Sequence, residues 1–301
     1  MELWILASFA AALFQSVRFM LQKHLFQGAL SASGATFARF VYSAPLAVLC
    51  LGVYGGLTGH LPSFPNLTFW SYGFIGGAAQ ILGTVCTVTL LGRRNFAVGL
   101  TFIKTEVLLT VVIGFIVLGE TLSTMGAVAI LLGVAGLLVL SGPVERGHGP
   151  IWRRLLSPSA GLGLLAGGLF GVAGVCARAA SLEVASDLAG VRALITLSAI
   201  TTMQMTGMAI WMQIRDPQEI KRVFCAWRTA LWIGLTSMAG TFCWFTAFTL
   251  QKAAYVKAVG QVEIVFGILA TVLIFRETIR PREWLGIGLV SLSVLALVLW
   301  G

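Results

Sequence analysis

Long apolar runs alternate with short clusters of glycine, proline and charge from one end of the chain to the other. A helix needs about 20 apolar residues to cross the hydrocarbon layer of a bilayer, and runs of that length predict ten spans. Their limits are 3–26, 33–57, 68–90, 96–118, 123–141, 159–182, 186–211, 227–250, 253–275 and 282–300. The first run lacks a basic start and is too long for the apolar core of a signal peptide, so it reads as a retained span. The expected fold class is all-α and integral to a membrane.

The polar positions inside these runs carry the next level of organisation. Glu106 lies near the middle of span 4 and Glu263 near the middle of span 9, 157 residues further on (263 − 106). Glu120 and Glu277 close the same spans at the same offset. The register also pairs Trp70 with Trp227, Gly77 with Gly234, Gly83-Thr84 with Gly240-Thr241 and Cys86 with Cys243. In so uncharged a chain, two matched glutamate pairs decide for a duplication. Five spans is an odd number, so the two units must enter the membrane in opposite senses, as an inverted repeat. The expected organisation is a first five-helix repeat at 1–142, a linker at 143–158 and a second repeat at 159–301. A register shifted by four residues pairs Arg39 with Arg192, each near the start of the second span of its half.

Composition narrows the class further. The chain of 301 residues is 58% hydrophobic and 10% charged, with a mean hydropathy of +0.93. A water-soluble domain carries about 25% charged residues, so that class is excluded. The net charge of +9 is a topology signal, not a nucleic-acid patch. Thirteen Lys and Arg residues fall on or beside the loops after odd-numbered spans; the other side holds only Arg178 and Lys252. The positive-inside rule places the odd loops in the cytoplasm and both termini outside. Cys50, Cys86, Cys176, Cys225 and Cys243 form no CxxC or metal spacing, and His24, His60 and His148 are not in ligand spacing. No metal or cofactor is expected. Neither GxSxG, HExxH nor a phosphate-cradling loop is present, which argues against an enzyme.

Ten spans, an inverted duplication and a glutamate ending the fourth helix of each half resemble the EamA-type drug/metabolite transporters. The residues that carry the likeness are Leu118-Gly119-Glu120 with the stretch from Gly126 to Gly133, Glu277 followed by Gly286, and Arg39-Phe40 opening span 2. The likeness covers the whole chain. It implies a multi-pass carrier of the inner (plasma) membrane, with spans 1, 3, 4, 6, 8 and 9 around the site and spans 5 and 10 at the periphery. Family habit puts the termini inside, against the charge count. Where that family often has proline after the central glutamates, this chain has Val107 and Ile264, which argues against a helix break there.

Charge at bilayer depth costs at least about 2.5–3.5 kcal/mol per group and marks function by default. Glu106 and Glu263 are therefore the first candidates for binding substrate or protons, against a bland reading as carboxylates satisfied by a neighbour. Lys104, Arg39 and Arg192 complete the expected site, with Arg18, Lys257 and Gln261 as secondary candidates. Snorkelling to the interface is the bland reading of Lys257. Five basic groups against two carboxylates leave positive charge in excess, so cargo with an anionic group is expected. Glu120 and Glu277 read as helix ends, compensated by Arg276 or Arg280. Gly83-Thr84-Val85-Cys86, its mate at 240–243 and the glycine-rich stretch 161–174 read as packing surfaces. The expected function is alternating-access secondary transport of small metabolites, amino acids or related, with protons as candidate coupling ion and export as candidate direction. A lipid or lipid-linked sugar flippase, a scaffold and a membrane-embedded enzyme are the alternatives. The expected partners are the cargo, lipid and protons, in a monomer or homodimer.

Overall fold

A computed structural model of the protein describes residues 2–28, 30–59, 66–93, 96–104, 106, 107, 109, 124–141 and 158–300. All regular structure among them is helical. In chain order the elements are α1 Leu3–Gly28, α2 Ala32–Thr58, α3 Leu67–Arg93, α4 Phe96–Ile103, α5 Thr124–Ser141, α6 Pro158–Leu182, α7 Ala189–Arg215, α8 Pro217–Cys225, α9 Trp227–Leu250, α10 Ala253–Val259, α11 Glu263–Leu273 and α12 Pro281–Trp300. Six of them, α1, α2, α3, α6, α7 and α9, are long and apolar enough to cross a membrane. They match spans 1, 2, 3, 6, 7 and 8. Helices α5 and α12, with 18 and 20 residues, occupy spans 5 and 10. The linker 143–157 and Glu120 lie outside the described residues.

Side chains are sorted as a membrane demands. Large apolar groups such as Leu49, Phe74, Leu131, Ile210, Trp232 and Leu285 face outward, while Arg18, Arg39, Lys104, Glu106, Gln204 and Glu263 are buried inside. Water would reverse that order; hydrocarbon favours it.

Helix packing follows the internal repeat. By the 157-residue offset α1 corresponds to α6 and α3 to α9. Helix α3 packs along α6, and α1 packs along α9, so exchanging each helix for its mate converts one contact into the other. The mates α2 and α7 touch, as do α4 and α11, and α5 and α12. Neither α5 nor α12 supplies a described residue to the cavity at the candidate site.

Glycines set the close approaches. A Cβ at Gly76 would lie 2.6 Å from Cβ of Cys176, joining α3 to α6, and one at Gly163 would lie 2.6 Å from Cβ of Phe102. The glycine-rich stretch therefore packs helices against one another, as small residues do in membranes. Pro45 lies within the single helix α2. Ser198 of α7 donates to the Ala47 carbonyl at 3.0 Å, which ties α7 to α2.

One element is absent from the sequence expectation. Residues 217–225 form a short helix, α8, capped by Asp216, whose carboxylate accepts from the Glu219 N–H at 3.3 Å, with Pro217 at its first position. Buried Glu219 accepts from the Ser31 N–H at 2.6 Å and pairs with Arg222 at 2.7 Å, so α8 fastens the start of α2. The Asp-Pro-Gln-Glu signature was present, but a loop between two long apolar runs hid it.

The close approach of α9 to α2 gives a clean test. A Cβ at Gly234 would meet the Tyr42 Cβ at 2.3 Å and its carbonyl carbon at 3.0 Å, whereas one at Gly207 meets nothing within 4 Å. Gly234→Ala is expected to lower stability by about 1–3 kcal/mol through overpacking. Gly207→Ala should leave it equal or higher by up to about 1 kcal/mol through helix propensity. Thermal unfolding in detergent checks both.

Candidate functional site

The fourth span of each repeat is interrupted just before its central glutamate. In the second repeat α10 ends at Val259, Gly260–Val262 form a 3₁₀ turn, and Glu263 opens α11. In the first, α4 ends at Ile103 and Lys104 is a turn residue. The Lys104 N–H is shared between the carbonyls of Leu100 at 3.1 Å and Thr101 at 3.2 Å, and Val107 N–H donates to Lys104 O at 3.3 Å. Ile103 and Gly260 are themselves 157 residues apart. As expected without proline at Ile264, α11 runs unbroken past Glu263; the interruption the sequence did not announce lies before the glutamate and needs no proline. In the second repeat the turn packs against Trp244, which needs glycine at 260, because a Cβ there would lie 2.4 Å from the ring. Glu263 gains from the interruption, since its carboxylate sits at the positive N-terminal end of α11.

The two carboxylates meet two lysines. Lys104 pairs with Glu263 and lies 3.8 Å from Oε1 of Glu106. Lys257 pairs with Oε2 of Glu106 at 3.2 Å. One lysine thus contacts the matched glutamates of both repeats. Gln15 donates to Glu263 Oε2 at 3.2 Å, and its own carbonyl accepts from Arg18 at 3.3 Å and from the Trp244 indole at 3.0 Å. Glu263 Oε1 has no hydrogen-bond partner among the described residues.

The two arginines are held differently. Arg18 donates to the Gln15 and Gln22 side chains, and Gln22 is fixed by the Ala35 carbonyl at 2.9 Å. Arg39 donates Nε to Ser237 at 2.8 Å, Nη1 to Thr84 at 3.0 Å and Nη2 to Thr241 at 3.2 Å. Thr84 and Thr241 are repeat mates, so one guanidinium bridges equivalent hydroxyls of both halves. Among the described residues no carboxylate pairs with Arg39 or Arg18. Arg39 and Arg18 are each 2% exposed. Together with Lys104 and Lys257 they set four buried cations against two carboxylates, an excess of two positive charges when all are ionised.

These groups gather at a small cavity of about 30 Å³, room for a few waters at most. Arg39, Lys104, Glu106, Lys257 and Glu263 all line it, together with Gln15, Gln80 and the aromatic rings of Phe170, Trp244 and Phe248. The lining comes from spans 1, 2, 3, 4, 6, 8 and 9, which adds span 2 to the expected set through Arg39.

Several expectations change. Arg192 is not in this group: it is half-buried at the start of α7 and donates to the Ser186 carbonyl. The shifted register that paired it with Arg39 does not correspond to shared placement. Lys257 does not snorkel; it is 8% exposed and turned inward. Gln261 lies in the 3₁₀ turn, its side chain outside the described residues. Glu277 is met by Lys23 at 2.7 Å, whose ammonium also lies 4.4 Å from the Phe275 ring, and not by Arg276 or Arg280 as expected. Sequence reasoning missed Gln15, Gln80 and Trp244, and it took Thr84 and Thr241 for packing residues alone. For the two threonines, repeat identity was the available signal.

Comparison with known proteins identifies the family and the fold. The sequence model of the EamA-like transporter family matches twice, over residues 2–142 and 158–299. No curated protein matches the chain. A solved structure titled "Crystal structure of protein" shares the fold, with a TM-score of 0.62 at 15% identity, covering 97% of this chain and 99% of its own. Two family repeats span nearly the whole sequence, apolar helices face outward and charge is gathered inside. The chain is a multi-pass membrane protein and belongs to the EamA-like transporter family, of the drug/metabolite transporter class.

Proposed function

We propose that this protein is a secondary transporter of the inner (plasma) membrane that moves small metabolites carrying an anionic group, amino acids or related compounds, by alternating access. The observation that carries the reading is Arg39: a fully buried guanidinium on the cavity wall, held by three hydroxyls and no carboxylate among the described residues. Hydroxyls orient a cation without neutralising it, so the charge stays available to an anion entering the cavity. The excess of buried positive charge acts in the same sense.

A cavity of about 30 Å³ is too small for a metabolite as it stands. Cargo enters only when helices part, and a pair of repeats related by a two-fold axis in the membrane plane gives two equivalent ways to part them. The interruptions at Ile103-Lys104 and Gly260–Val262 are the natural points of bending, since each already departs from regular helix. No ATP-binding motif occurs in the sequence, so the driving force is a gradient. The carboxylates supply a route for proton coupling: a proton on Glu263 or Glu106 removes the charge that holds Lys104 or Lys257, freeing that lysine to move.

Two outcomes are expected from flux in proteoliposomes, with a panel of amino acids and organic anions. Arg39→Gln should lower transport of anionic cargo by about tenfold or more, the loss of about 1.4 kcal/mol or more of binding or barrier stabilisation. Cationic and neutral compounds should change far less, and Arg192→Gln should stay near wild type; equal losses across all cargo would count against the reading. Under an imposed pH gradient the wild type should run faster than at equal pH. The double variant Glu106→Gln with Glu263→Gln should lose that acceleration.

A further inference from the structure

The anion-binding wall is only half of the cavity. Opposite in charge stands the surround of Lys257, whose Nζ lies 5.1 Å from the ring centre of Trp244, 5.6 Å from Phe248 and 6.0 Å from Phe170. Glu106 Oε2 completes the enclosure at 3.2 Å. Trp244 and Phe248 are stacked at 5.7 Å, and the Trp244 indole is fixed by Gln15. Gly174 leaves the space for the lysine stem, since a Cβ there would meet Lys257 Cε at 3.3 Å and Phe248 at 3.5 Å.

Three rings and a carboxylate around one ammonium exceed what a structural ion pair requires. Aromatic faces attract a cation through their quadrupoles, more strongly once water is excluded, and cages of this kind recognise alkylated ammonium groups. Lys257 has no counterpart in the first repeat, where Leu100 stands at the matching position of the same cavity wall. It also sits in the last turn of α10, one turn from the break at Gly260–Val262, so bending there withdraws it.

We infer that the Phe170, Trp244, Phe248 and Glu106 enclosure is a subsite for an organic ammonium group, which Lys257 fills with its own ammonium while the cavity is empty of cargo. Entering cargo takes the place of a tethered competitor. With Arg39 supplying the anion subsite, the cargo class becomes a small zwitterion with a separate ammonium and anionic group. This rests on the cavity being the transport site, and the experiment below tests the cation subsite alone.

The probe is tetramethylammonium, which has no anionic group, so its binding is indifferent to any failure at Arg39. A tethered ligand competes at an effective concentration in the millimolar range or above. Lys257→Ala should therefore bind tetramethylammonium about tenfold or more tighter than wild type, measured by calorimetry on purified protein. Lys257→Met, which keeps the stem in the cage without its charge, should show no such gain, and adding Glu106→Gln to Lys257→Ala should remove it. Binding by Lys257→Ala no tighter than wild type overturns the proposal. If that variant does not fold, acetylation of Lys257 in the wild-type protein, followed by mass spectrometry, replaces it. Acetylation should rise with tetramethylammonium chloride and not with equal sodium chloride; an unchanged rate overturns the proposal.

Discussion

Keeping charge inside a protein that is itself surrounded by hydrocarbon is the constraint on which this structure turns. An ion moved into a dry interior costs several kcal/mol even after relaxation, and removing one partner of a buried pair typically costs about 3–5 kcal/mol. Arg18, Arg39, Lys104, Glu106, Lys257 and Glu263 are all nine-tenths or more buried, so each must be held. The carboxylates are held by lysines, Arg18 by glutamines and Arg39 by hydroxyls. That division has a consequence. Where cation meets carboxylate the charge is cancelled; where cation meets hydroxyl it persists.

The same constraint explains the broken helices. A regular helix through residues 96–118 or 253–275 satisfies its own backbone and leaves nothing polar to spare. Interruption at Gly260–Val262 places Glu263 at a helix N-terminus, where a negative charge is welcome. The local costs are met by shared and tightened hydrogen bonds around Lys104 and by glycine against Trp244. The repeats supply matched carboxylates and matched threonines, but single cations. Lys104 and Arg39 have no charged counterpart at the 157-residue offset, where Gln261 and Thr196 stand. Each instead bridges equivalent groups of both halves.

Much of this was legible in the sequence because membrane helices obey simple rules. The long apolar runs delimit spans 1, 2, 3, 6, 7 and 8 to within a few residues, and the matched glutamates mark the polar centre by their spacing alone. The breaks were not legible, because the expected cue was proline after the glutamate and the actual devices are a glycine packed on a distant tryptophan and a bifurcated bond. Arg192 was paired with Arg39 only through a register shifted four residues from that of the glutamates, and the two side chains do not share a place. Lys257 was judged by its distance from a span end, which says nothing about which way a helix face turns. Gln15 and Trp244 carried no sequence signal; they matter through contacts made across more than two hundred residues.

The central claim is that Lys104 joins the glutamates of both repeats into one functional unit around the cavity. A double-mutant cycle on reconstituted flux tests it most directly, comparing Lys104→Met, Glu263→Gln and the two together. The account predicts strong non-additivity, with the double variant losing no more transport than the worse single one. Losses that multiply independently would show that the two side chains act apart, and would contradict it.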